Sequence, residues 1–213
     1  MSAKSLATNE PAKLGSDRAY ASFATISDGT GAISFEAPTE WTDTDAVPSM
    51  GEYYQAKAEA STVLASFRTS WTAPGVRIGI SKSLGAEVAA ASLFELAMPT
   101  LVPKLLRPSV TLAQCRAPSV YYIKLQGLAG NLAPHAFEQY LGPILESGVA
   151  HVYDQCGEQK AMLVEIVGYS RGGGSDSVLH IEFQFVTAAD IPAFWRALSS
   201  LRVDWTRVPE PVS

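Results

Sequence analysis

The stretch that most constrains the fold is the C-terminal third. Residues 161–169 (AMLVEIVGY) and 178–186 (VLHIEFQFV) flank Ser170-Arg171-Gly172-Gly173-Gly174-Ser175-Asp176. Both flanks are rich in β-branched and aromatic residues, and the middle is turn chemistry, so the stretch reads as a β-hairpin. In the second strand Leu179, Ile181, Phe183 and Phe185 alternate with His180, Glu182 and Gln184. That period of two predicts one packed face and one face toward water or a partner. Asp190 then stands where a helix N-cap belongs, with Pro192 in the first turn. Ile191, Phe194, Trp195, Leu198 and Leu201 form an apolar helical stripe. Two strands followed by a helix that covers them predict an antiparallel sheet with helices packed on it, an α+β fold.

The rest of the chain fits the same class. Residues 20–26 and 32–37 are short apolar segments around Ser27-Asp28-Gly29-Thr30-Gly31, which reads as a second hairpin. Residues 54–60 alternate small apolar with polar side chains, and residues 76–81 and 120–126 are β-rich. A short strand at 149–153 leads to Cys156. Helices are expected after Ser61 or Thr62, with Leu64, Phe67 and Trp71 on one face, and around 89–98. A third spans 135–145 with Phe137, Tyr140, Leu141 and Ile144 inward, its end disturbed by Pro143.

Residues 1–18 are small and polar and read as a flexible arm or linker. Residues 19–207 form one domain, and residues 208–213 a flexible tail. The arm lacks the apolar core of a signal peptide, so the chain is either cytoplasmic or has lost an export signal or a preceding domain. A net charge of −5 argues against a nucleic-acid partner. No apolar run is long enough for a transmembrane helix.

One segment imitates a catalytic site. Gly168-Tyr169-Ser170-Arg171-Gly172 matches G-x-S-x-G, the nucleophile elbow of α/β-hydrolases. An elbow needs a helix next, and here Gly173, Gly174 and a period-two strand follow. The sole later histidine, His180, lies inside that strand. A hairpin turn is the better reading of Ser170, and a serine hydrolase is kept as the alternative. His135, His151 and His180 have no zinc spacing with the cysteines, so no metal site and no cofactor is expected. His180 reads as a solvent-side strand residue. His151, near Asp154 and Cys156, reads as a bystander rather than half of a Cys–His pair. Trp71, Trp195, Phe194, Phe183 and Phe185 read as core, and Trp205 as a cap on it. Trp41, Tyr53 and Tyr54 lie in a loop-rich stretch and are the surface aromatics expected to meet a partner.

Cys115 and Cys156 are the two cysteines of the chain, 41 residues apart. Bonded, they would stabilise the fold by about 4 kcal/mol and require an oxidising compartment. Unbonded, they would be buried thiols of a cytoplasmic protein. Spacing alone leaves both open.

The order of segments adds a resemblance. Ser34-Phe35-Glu36-Ala37-Pro38-Thr39-Glu40-Trp41 looks like the opening of PsbP-like domains, an α-β-α sandwich superfamily that includes Mog-type and LpqN-type proteins. Trp71-Thr72-Ala73-Pro74-Gly75-Val76-Arg77-Ile78-Gly79-Ile80-Ser81 resembles a segment of an actinobacterial extracytoplasmic branch, where it precedes a Cys…Cys pair. The resemblance spans roughly residues 20–205, a single-domain length. It departs from the pattern at about 128–147, where an extra segment lies between the cysteines. It implies a Cys115–Cys156 disulfide and a non-enzymatic binding or accessory role outside the cytoplasm, with no catalytic residues to carry over. The expected ligand is a protein or a small hydrophobic or glycan molecule. The remaining alternative is a cytoplasmic immunity or adaptor protein of the same fold.

Overall fold

The computed structural model describes residues 19–45, 53–59, 71–81, 114–123, 135–170 and 177–208. The first hairpin pairs β1 (Phe23–Ser27) with β2 (Ile33–Pro38) in antiparallel register. Asp28 organises its turn: Oδ1 accepts from the Ile33 amide at 2.9 Å and Oδ2 from the Thr30 amide at 3.1 Å. Gly31 takes the positive φ of 72° that the turn requires. A short last strand, β10 (Arg202–Val203), adds to the other edge of β2.

The second sheet has seven strands. These are β3 (Asp43–Asp45), β4 (Tyr53–Glu59), β5 (Gly75–Ser81), β6 (Ser119–Ile123), β7 (Ser147–Cys156), β8 (Ala161–Ser170) and β9 (Ser177–Phe185). Their order is β3-β4-β5-β9-β8-β7-β6, antiparallel at every junction. Among the described residues the helices are α1 (His135–Leu141), shorter than expected, and α2 (Asp190–Ser200), followed by a 3-10 turn at Trp205–Arg207. This is the expected α+β class with antiparallel sheets. The helix segments expected at 61–70 and 89–98 lie outside the described residues.

The main core forms between one face of the large sheet, β2 and the helices. It includes Ile78 and Ile80 of β5, Ile166 of β8, Ile181 and Phe183 of β9, Ile33 and Phe35 of β2, and Phe194 of α2. Phe194 stands 5.1 Å from Phe183, 5.3 Å from Phe185 and 5.9 Å from Phe137, tilted edge to face. Trp195 joins at 4.8 Å from Phe194, while Trp205 packs partly buried at the core's edge, as expected of a cap.

Four expectations need correction. All nine residues of β9 are buried, including the alternate set that was to face water or a partner. The strand lies between β5 and β8 in the middle of the sheet, and its second face is covered as well. Trp71 is buried, as expected of a core residue, but in a separate cluster with Cys156, Ala161 and Leu163 and not among the other aromatics. Asp190 does not cap forward. Ala189 holds the N-cap position without a side-chain bond, and the Asp190 carboxylate turns back to accept from the Val186 and Thr187 amides at 2.7 and 2.6 Å. Val208, assigned to the tail, is 2% exposed and belongs to the core. Among the described residues, no helix is long and apolar enough to cross a membrane.

Candidate functional site

The second face of the large sheet carries an ionisable group that the main core does not explain. In a strand, residues two apart share a face, so His180 and Glu182 of β9 lie side by side. Register places Glu165 of β8 directly opposite Glu182, His151 of β7 opposite Glu165, and Arg77 of β5 opposite Glu182. One row across four strands therefore reads Arg77, Glu182, Glu165, His151, with His180 beside it.

The distances are short. Nε2 of His180 is 3.6 Å from Oε1 of Glu165 and 3.6 Å from Oε1 of Glu182. Nδ1 of His151 is 3.9 Å from Oε2 of Glu165, and the Tyr153 hydroxyl donates to that same oxygen at 3.5 Å. The side chains of Glu165, His180 and Glu182 are 0%, 2% and 3% exposed, and that of His151 is 20% exposed. The group thus opens toward solvent at His151. Two buried carboxylates facing each other repel unless a cation or a shared proton stands between them. One ligand atom from each of Glu165, His180 and Glu182 falls within a 4.8 Å span, close enough to share one ion.

Beside this group lies the disulfide. Cys115 and Cys156 are bonded, with 4.0 Å between their Cα atoms. Trp71 packs there with Cys156, Ala161 and Leu163. Its indole Nε1 donates to Oε1 of Gln114 at 2.9 Å, and the Gly157 amide donates to the Gln114 carbonyl at 3.0 Å. Trp71 holds a φ of 58°, which costs a bulky residue on the order of 1–3 kcal/mol. The indole sits where a Cβ on Gly157 would stand 2.6 Å from its Cδ1, so only glycine fits there. Tyr153 joins the two features: it packs against the disulfide cluster and its hydroxyl reaches Glu165.

The residues singled out from sequence fall differently. Trp41, expected at the surface, is 2% exposed. Its indole lies 5.5 Å from Phe183 and its Nε1 donates to the Tyr20 hydroxyl at 3.0 Å, so it fills the core and offers no face to a partner. Tyr53 and Tyr54 lie on β4 opposite Ser81 and Ile80, with their side chains outside the described residues. Ser170 ends β8 and pairs with Ser177 of β9, which is a hairpin register rather than a strand entering a helix. Gly168 of the same segment has a packing reason: a Cβ there would stand 2.6 Å from Leu145 Cδ2. His180 is buried, not solvent-facing, and Cys156 is in a disulfide, which removes a Cys–His pair with His151. The side chain of His135, at the start of α1, lies outside the described residues.

Glu165 and Glu182 were missed. The signals were present in the sequence as a lone carboxylate in the apolar run AMLVEIVG and as His-x-Glu on a strand. What joins them is register, which no local pattern prints. No known family profile, curated protein or solved structure matches this chain.

Proposed function

We propose that this chain is a non-enzymatic, extracytoplasmic binding or accessory domain of the PsbP-like kind. The observation that carries the compartment is the Cys115–Cys156 bond, which ties residues just ahead of β6 to the end of β7. Disulfides of this kind persist in oxidising compartments and are kept reduced in the cytosol. That favours the extracytoplasmic reading over a cytoplasmic immunity or adaptor protein. The antiparallel sheet with α2 on one face, and the closing order β8, β9, α2, β10, are consistent with the resemblance. The non-enzymatic part is supported by the G-x-S-x-G segment, whose serine ends a paired strand. The ligand expected is a protein or a small hydrophobic or glycan molecule, and the net charge of −5 speaks against nucleic acid.

Two measurements test this. Non-reducing peptide mass spectrometry of the protein from its native source is expected to return the Cys115–Cys156 cross-linked peptide, and free thiols at both positions would overturn the compartment. A serine-directed covalent probe is expected to leave the chain unlabelled. Labelling that disappears in Ser170→Ala would instead establish the hydrolase.

A further inference from the structure

The geometry points to a binding site for a divalent first-row transition-metal ion, zinc being the reference case, held by His180, Glu165 and Glu182 on the second face of the large sheet. It stands independently of the reading above.

Three observations carry it. The first is spacing. At 3.6 Å from each carboxylate oxygen, Nε2 of His180 is too far for a hydrogen bond. Ligands held about 2.0–2.1 Å from a tetrahedral zinc ion lie about 3.3–3.4 Å apart, so both His180–carboxylate spacings come within a few tenths of an ångström of that value, and the two carboxylate oxygens, within 4.8 Å of each other, close on the ion by side-chain rotation.

The second is the imidazole itself. His180 is 2% exposed, and its Nε2 makes no hydrogen bond among the described residues, although it points between two carboxylate oxygens. A buried polar nitrogen left that way needs a reason, and a bound ion is one.

The third is the support around the group. Glu165 presents Oε1 to His180 and Oε2 to Tyr153 and His151. A carboxylate ligand oriented through its far oxygen is a usual second layer of a metal centre. All the ligating residues sit on two hydrogen-bonded strands, β8 and β9, which fixes their separation better than loops would.

The donor set decides the ion. One imidazole and two carboxylates suit zinc and its first-row neighbours. Calcium takes six to eight oxygen ligands and magnesium keeps a near-octahedral oxygen shell, so neither matches this set. The described residues supply three protein ligands, and a fourth position is open to water or another donor. His151, the most exposed member of the group, marks the side from which an ion enters.

The test uses the full chain without a histidine tag, with its disulfide formed, stripped by chelator. Calorimetric titration with zinc chloride is expected to show one equivalent bound. The melting temperature is expected to rise by about 5–10 °C at a zinc concentration a hundredfold above Kd. Magnesium is expected to give neither effect. His180→Gln and Glu182→Gln are each expected to weaken zinc at least about a hundredfold, and His151→Ala about tenfold or less. Near-ultraviolet circular dichroism and the disulfide mass report whether each variant is folded. Should the buried variants fail to fold, cobalt added to the wild type decides: visible absorption of a tetrahedral nitrogen–oxygen shell, displaced by zinc, supports the site. A folded wild type that takes up neither zinc nor cobalt overturns it, as does binding that His180→Gln leaves unchanged.

Discussion

The Tyr20 hydroxyl donates a 2.5 Å hydrogen bond to Oδ1 of Asp190, 170 residues further along the chain. The same hydroxyl accepts from the Trp41 indole at 3.0 Å. Oδ2 of Asp190 accepts the Val186 and Thr187 amides, which lie between the end of β9 and the start of α2. One fully buried carboxylate thus fastens the N-terminal edge of the domain to the sheet-to-helix corner. Burial pushes the Asp190 carboxyl above the ordinary carboxylate range, against the pull of the Tyr20, Thr187 and Val186 donors. Burial and the Asp190 charge push the Tyr20 phenol up as well.

Asp190→Ala leaves two amides and a phenol without their acceptor. It is expected to lower stability by about 2–4 kcal/mol in urea denaturation. Asp190→Asn is expected to cost less and to change the pH dependence. Because the native pKa is raised, the native state holds a proton that the unfolded chain has released. This group's contribution is therefore full below the ordinary carboxylate pKa and is lost as pH rises through the raised native value. The wild type should gain on Asp190→Asn as the pH is lowered from about 7 to about 4. A difference that stays flat over that range would contradict the raised pKa.

Trp41→Ala is expected to cost about 3–5 kcal/mol, since it empties a fully packed site and orphans part of the Tyr20 bond. Iodide is expected to quench the fluorescence difference between wild type and Trp41→Phe very little. Strong quenching would return Trp41 to the surface.

Gly168→Ala is expected to destabilise by about 1–3 kcal/mol, because the added methyl meets the buried Leu145 side chain. The double variant with Leu145→Ala makes room for that methyl, so the two costs should fall short of additive. Strict additivity would show that the methyl acts on something other than Leu145.

Reduction of the Cys115–Cys156 bond is expected to remove about 4 kcal/mol, the loop-closure value for a 41-residue separation. The loss should be smaller in Gly157→Ala, where the added methyl displaces the Trp71 indole from its seat beside Cys156 and the contact between them is already gone. Calorimetric melting with and without reductant measures both, and equal losses would show that the indole and the bond act separately.

Much of the fold was legible because it is written locally. The alternation through 178–185, the turn residues after Ser170 and the stripe from Ile191 to Leu201 each announce an element within about ten residues. The hairpin at Asp28 was readable for the same reason: its turn is closed by a side chain two to five residues from the amides it binds. The cysteines were less legible. Their spacing allowed a bond, and only the path of β7 brought Cys156 back to Cys115.

The residues of the candidate site, and the depth of Trp41, were hidden by the same limit. Trp41 sits in a loop, and loops are usually at the surface, but depth is set by what folds over a residue: here Tyr20 and Phe183, 21 and 142 positions away in sequence. The alternation of β9 told which side chains share a face without telling that both faces would be covered. By itself the sequence determined the strands of the two hairpins and the helix after β9, and which residues line up on each of them. The tertiary structure alone decided that Glu165, His180 and Glu182 meet. Two carboxylates on different strands become neighbours only through register, and buried ones only through the packing above them, and both are properties of contacts far apart in the chain.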